Sequence, residues 1–224
     1  MGEMTELTAG DGHTLAAYRA EPAGPPKGGL VIIQEIFGMT GQMKRCTDRY
    51  AEAGYLAILP AMFDRVERGL VLDYHEFQRG GQTVGQINTQ DVLADVDAAR
   101  QAVATAGKTA IMGFCWGGTI AYMGASGLPF DCAISYYGGG IGRLVDRMQP
   151  KIPVQYHFGG EDKFIPTAVI DQIRSADPSG QFHVYEHADH GFNCDDRDSY
   201  HAEASALSEQ RSLEFLAAQL QGSG

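Results

Sequence analysis

The 224-residue sequence predicts an α/β protein: a doubly wound, mostly parallel sheet with helices on both faces and an antiparallel hairpin at the N-terminus. Two observations carry that expectation. Short, nearly continuous apolar runs, the mark of strands buried on both faces, alternate with stretches whose apolar residues recur at helical spacing. Ahead of them the pattern is a loose alternation broken by Asp11-Gly12, a strong turn signal.

Taken in order, Met4 to Pro22 is the hairpin, and Pro22 to Gly29 is a Pro/Gly linker. The buried runs are LVIIQ from Leu30, YLAILP from Tyr55, TAIMGF from Thr109, CAISYY from Cys132, VQYHFG from Val154 and FHVYEH from Phe182. Met43, Cys46, Tyr50 and Ala53 share one helix face; Val92, Val96, Ala99 and Val103 share another, on a helix closed by Gly107 as its C-cap. From about Ala202 to Leu220, the residues Leu207, Leu213, Leu216 and Leu220 mark a final amphipathic helix. Phe63 to Asn88 is polar, contains glycines and shows no period, which reads as a lid or substrate loop. No repeat or low-complexity tract interrupts the chain, and residues 1–224 read as a single domain.

Composition narrows the function. With 44% apolar residues the chain is long enough to bury a proper core. Its 17 Lys+Arg against 28 Asp+Glu give a net charge of −11, and no dense basic run occurs, so a nucleic-acid partner is excluded. The longest apolar stretches, such as Gly29 to Ile33, fall far short of the roughly 18 to 20 residues that span a bilayer, and the acidic start MGEMTELTAG lacks an apolar signal core. A soluble, cytoplasmic monomer with no membrane partner is expected. Four cysteines without close spacing suit reduced thiols better than a disulfide framework or a zinc ribbon. Cys46 on a helix stripe and Cys132 in a strand read as core; Cys194 reads equally as loop surface or pocket wall.

The chemistry is concentrated in Gly113-Phe114-Cys115-Trp116-Gly117-Gly118, which follows a buried run and precedes a stretch, Thr119 to Ala125, that can form a helix. This is G-x-C-x-G, a nucleophile elbow carrying sulfur. Its glycines allow a strand-to-helix turn too tight for a Cβ, and the helix N-terminus favours an anion at Cys115. Elbow folds supply the remaining groups in the order nucleophile, acid, histidine. Glu161-Asp162 follows VQYHFG, and Asp189-His190 follows FHVYEH, both just past strand C-termini, where α/β enzymes place their sites. The reading is Cys115 as attacking thiolate, His190 as general base and then acid, and Asp162 as the orienting carboxylate, ahead of its rivals Glu161 and Asp189. The oxyanion donors would be the N–H groups of Trp116 and Ile36. Glu35, acidic at the end of a buried strand, needs either a partner such as Arg65 or Arg79 or a catalytic duty. His183, His187 and His190 lack the spacing of a metal site, no metal or other cofactor is called for, and Gly138-Gly139-Gly140 reads as a flexible loop rather than a phosphate loop.

QEIFG, GFCWGG, GGEDKFIP and HADHGF together resemble the dienelactone hydrolase family of α/β-hydrolases, and the resemblance runs from DGHTL near Asp11 to the terminal helix. It implies an α/β-hydrolase fold and cofactor-free hydrolysis of a cyclic enol-lactone to an oxo-acid through an acyl-thioester. It implies also that Glu35 contacts the resting thiol and helps deprotonate it when substrate binds; Phe37, Tyr74, Arg79 and Arg197 are the candidates for lining the substrate. Members of the family hold a substrate carboxylate with two arginines, one of them four residues after the catalytic histidine. That position here is Cys194, with Arg197 three residues further on, and a thiol cannot replace a guanidinium clamp. The alternatives are a broader carboxylesterase of the same fold acting on uncharged esters, and a binding module that has kept the pocket without the chemistry.

Overall fold

The computed structural model describes residues 1–221, which divide into a first compact unit, Met1–Ile111, and a second that begins at Met112. In the first, β1 (Glu3–Thr8) pairs antiparallel with β2 (Thr14–Ala20), Thr8 facing Thr14 across the Asp11-Gly12 turn. β2 then pairs antiparallel with β4 (Leu56–Pro60), which runs parallel to β3 (Gly29–Ile33). Every residue of β3 and β4 is buried, which is why both read as unbroken apolar runs. Helix α1 (Gly41–Glu52) starts where Thr40 Oγ1 accepts the Met43 N–H, and it buries Met43, Cys46 and Tyr50. Helix α3 (Thr89–Val103) starts on Asn88 in the same way and buries Val92, Val96, Ala99 and Val103. The expected Gly107 cap needs adjusting: α3 stops at Val103, a 3-10 turn over Ala104–Ala106 follows, and Gly107, at φ +99°, closes that turn instead.

The segment from Phe63 to Asn88 contains more structure than its sequence suggests. A 3-10 turn spans Met62–Arg65 and a helix, α2, spans Phe77–Val84. Gly80 and Gly81 hide α2 from a propensity reading, yet Gly80 is there for a packing reason, since a Cβ on it would collide with the Ile36 carbonyl. The approach to α2 is pinned as well: the Leu72 N–H donates to the Phe37 carbonyl at 2.9 Å, and Gly38 bridges Val71. Arg65 grips the fully buried Asp95 with two hydrogen bonds, 2.6 and 2.9 Å, and reaches Asp11 at 2.7 Å, so one guanidinium ties the hairpin turn to α3.

In the second unit, β5 (Thr109–Phe114), which enters from the first, leads into α4 (Trp116–Gly127), followed by β6 (Cys132–Tyr136), β7 (Val154–Gly159), α5 (Thr167–Ala176), β8 (Gln181–Tyr185) and α6 (Ala202–Gln221). β6, β7 and β8 are parallel neighbours, and the eight-stranded sheet has the order β1-β2-β4-β3-β5-β6-β7-β8. The expected mostly parallel α/β architecture with its antiparallel N-terminal hairpin is present. One detail of α6 is corrected. Leu207 is exposed, and the buried face is Ala204, Ser205, Ser208, Ser212, Phe215, Leu216 and Leu220. Serines occupy it because polar groups lie opposite: Ser212 meets Tyr136 Oη at 2.8 Å and His157 Nε2 at 3.1 Å, and Ser205 accepts from Asn193 at 3.1 Å. Gly138–Gly140 is packed rather than loose, with the Gly140 N–H donating to Thr119 Oγ1 at 3.1 Å.

Candidate active site

Cys115 stands at the junction of β5 and α4 with φ +55°, a left-handed conformation that L-residues avoid, as a sharp strand-to-helix elbow requires. A Cβ on Gly113 would strike the Gly117 carbonyl, so the motif's first glycine is a steric necessity. The elbow is fixed on both sides: the Cys115 N–H donates to the Tyr136 carbonyl at 2.9 Å, and its own carbonyl accepts from Thr119 at 3.3 Å. Trp116 takes the first position of α4, next to the sulfur-bearing residue.

Asp162 lies in the turn after β7 with its carboxylate out of solvent. Oδ1 accepts the backbone N–H groups of Phe164 and Ile165 at 2.8 and 3.2 Å, and Oδ2 lies 2.7 Å from His190 Nδ1. Of the three acidic candidates, Asp162 makes the contact. Glu161 points to solvent beside His187, and Asp189 turns back to accept the His190 N–H at 2.6 Å. The two loops are stitched together by the Glu161 N–H on the Ala188 carbonyl at 3.0 Å, and Gly191 at φ +81° turns the chain away behind the histidine. Burial alone would strip the charge from His190. Hydrogen bonds to Asp162 and to Cys115 outweigh it and push the imidazole up to about 10, so the ring carries its proton at neutral pH.

Two aromatic neighbours of His190 were not anticipated. Tyr137, buried and itself at φ +37°, places its ring centroid 5.0 Å from the imidazole, and Phe164 meets it edge-on at 5.4 Å. Nothing in the sequence marks Tyr137 beyond its place after a strand; Phe164 could have been noticed as a large apolar residue beside the proposed acid in a polar loop.

The other histidines diverge, His183 reaching Gln155 at 3.5 Å and His187 lying exposed. Cys46 and Cys132 are core residues as expected, and Cys194 is buried, which rules out the loop-surface reading. Arg197 packs its guanidinium on Gly191, immediately after His190. In the first unit, Glu35 is buried just past β3 and Ile36 follows it, half-buried. Phe37 packs edge-on against Tyr74 at 5.0 Å and Phe77 at 5.4 Å, and the Tyr74 hydroxyl donates to Thr40 Oγ1 at 3.3 Å. Arg79 is half-exposed and pairs with Glu76 at 3.3 Å and Glu67 at 3.7 Å, while Arg65 is engaged by Asp95 and Asp11. No helix among the described residues is long and apolar enough to cross a membrane.

A parallel-sheet protein with a cysteine elbow and a buried carboxylate–imidazole pair after later strands has the architecture of the α/β-hydrolases. The chain belongs to the dienelactone hydrolase family, whose sequence profile matches residues 15–220, and it is a hydrolase. It is 33% identical to a carboxymethylenebutenolidase of Pseudomonas putida over 96% of both chains. A crystal structure of a Klebsiella pneumoniae protein, provisionally designated a dienelactone hydrolase, superposes with a TM-score of 0.84 at 30% identity, covering 97% of this chain and 99% of that one. An esterase from Pyrococcus furiosus shares the fold, with a TM-score of 0.69 at 11% identity over 98% of this chain and 93% of its own.

Proposed function

We propose that the protein opens a small lactone of the dienelactone type through a Cys115–His190–Asp162 triad and an acyl-thioester. The observation that carries the reading is the buried Asp162–His190 hydrogen bond of 2.7 Å, in a chain whose Cys115 is strained into the elbow. Cys115 attacks as the thiolate, with His190 as general base and then acid, and Glu35, the buried carboxylate after β3, helps remove the thiol proton as substrate binds. The sulfur adds to the lactone carbonyl, the oxyanion is met by the N–H groups of Trp116 and Ile36, and the ring C–O bond breaks as His190 protonates the departing oxygen. The neutral imidazole next removes a proton from water, hydroxide attacks the thioester, and the sulfur is expelled as a thiolate beside the imidazolium so formed.

Arg197, with Phe37, Tyr74 and Arg79, is assigned to the substrate. A second reading, a carboxylesterase for uncharged esters, is favoured by Cys194 standing where the family has an arginine. The decisive test is Cys115→Ala: the far-UV circular dichroism is retained and lactone turnover is lost, and undiminished turnover would remove the mechanism. Glu35→Gln is expected to slow both turnover and alkylation of Cys115 by iodoacetamide; unchanged rates and pH profile would return Glu35 to a structural role.

A further inference from the structure

We propose that Phe164 is a specificity-determining platform for the leaving group, which extends the activity to esters of flat, apolar alcohols such as phenols. The inference rests on the triad reading above and deepens it. Phe164 is 76% exposed, an unusual state for a large apolar ring, yet its position is not free. Its N–H is bonded at 2.8 Å to Oδ1 of Asp162, the carboxylate whose other oxygen holds His190, and its ring lies edge-on to the imidazole at 5.4 Å. One carboxylate therefore fixes both the acid catalyst and the ring beside it.

The geometry says which part of a substrate meets the ring. His190 spends Nδ1 on Asp162, which leaves Nε2 for the sulfur and for the departing oxygen. Whatever is attached to that oxygen departs from the imidazole, beside which the Phe164 ring stands at 5.4 Å, while the acyl part stays on Cys115. Of the two aromatic rings beside the imidazole, Tyr137 is buried and Phe164 is open to solvent. An aryl group there would cover the exposed ring and stack on it, removing apolar surface of both from water. For an aryl ester the Cys115 thiolate forms the C–S bond, the C–O bond breaks, and the aryl oxide leaves as a phenol carrying the Nε2 proton. Water then releases the carboxylic acid, His190 regaining a proton from that water.

The test is steady-state hydrolysis of phenyl acetate and ethyl acetate by the wild type, Phe164→Ala and Phe164→Trp. For Phe164→Ala, the ratio of kcat/KM for phenyl over ethyl acetate is expected to fall about fivefold to tenfold, through KM rather than kcat, the size of one lost aromatic contact. Phe164→Trp should restore it. An unmoved ratio overturns the inference, as does an equal loss on both esters, which would mean that Phe164 only steadies His190. Cys115→Ala in the same assays separates the two claims: retained hydrolysis sinks the triad, whereas an inactive Cys115→Ala with an unmoved Phe164→Ala ratio sinks the platform alone.

Discussion

His190 holds its proton against burial because Asp162 and Cys115 both bond to it, Asp162 being the stronger influence, and this has a measurable sign. The folded-state value, about 10, lies above the 6.5 of an unfolded chain, so the stabilisation from this contact is complete below pH 6.5 and is lost as pH rises through about 10. Acid delivery to the leaving group should fail over the same upper range. We expect kcat/KM to decline on an alkaline limb near pH 10, and Asp162→Asn to move that limb at least one unit toward neutrality while lowering turnover; an unmoved limb would mean that Asp162 does not hold the proton. The Cys115 elbow and the Asp162–His190 contact were legible in the sequence because each residue sits next to a glycine or acidic signature just past a buried run. Tyr137 and Phe164 were not, since their contact with His190 depends on where three separate loops meet. The proton held on His190 was equally hidden, because it follows from a 2.7 Å contact with Asp162 working against burial, a balance that no motif encodes.

Strands were legible where both faces are buried by apolar side chains, as in β3 and β4, and helices where one apolar face is, as in α3. The buried face was harder to read where few apolar side chains turn inward. α5 shows only Ile170 and Ile173 to the core, too few for a period, and the inward serines of α6 look like a solvent face until β6 and β7 are set against them. That polar layer centres on His157, whose Nδ1 lies 2.8 Å from Tyr185 Oη and whose Nε2 lies 2.9 Å from Gln155 Oε1. Burial, reinforced by the neighbouring His183 and Arg211, pushes its imidazole well below the ordinary range, so the folded state keeps it neutral. The sign is opposite to that of His190: stability is full above the unfolded value of 6.5 and drains away as pH falls below it, by up to about 2 kcal/mol at pH 5. Urea unfolding of the wild type and of His157→Gln at pH 7.5 and 5.0 checks this. The substitution lowers stability at pH 7.5 but narrows the gap between the two pH values, and an equal gap in both proteins would exclude His157 as its source.

For the molecule as a whole, the net charge of −11 opposes any anionic substrate, whereas Arg197, packed on Gly191 next to His190, would attract it. Salt separates the two influences. The Debye length shrinks from about 30 Å at 0.01 M to about 10 Å at 0.1 M, which removes the diffuse repulsion while sparing a contact at hydrogen-bond range. If the substrate is a lactone bearing a carboxylate, its kcat/KM should rise between these salt concentrations, and that of its methyl ester should stay nearly level. Arg197→Gln should then lower the acid-to-ester ratio of kcat/KM about tenfold or more, the worth of one charge-assisted hydrogen bond. A fall on both substrates alike would instead make Arg197 a prop for the Gly191 turn, leaving the positive charge without a role in recognition. Since Cys194 cannot supply that charge, such a result would decide for the uncharged-ester reading, and the acidic surface would then be neutral toward catalysis and would act only to keep the protein dispersed.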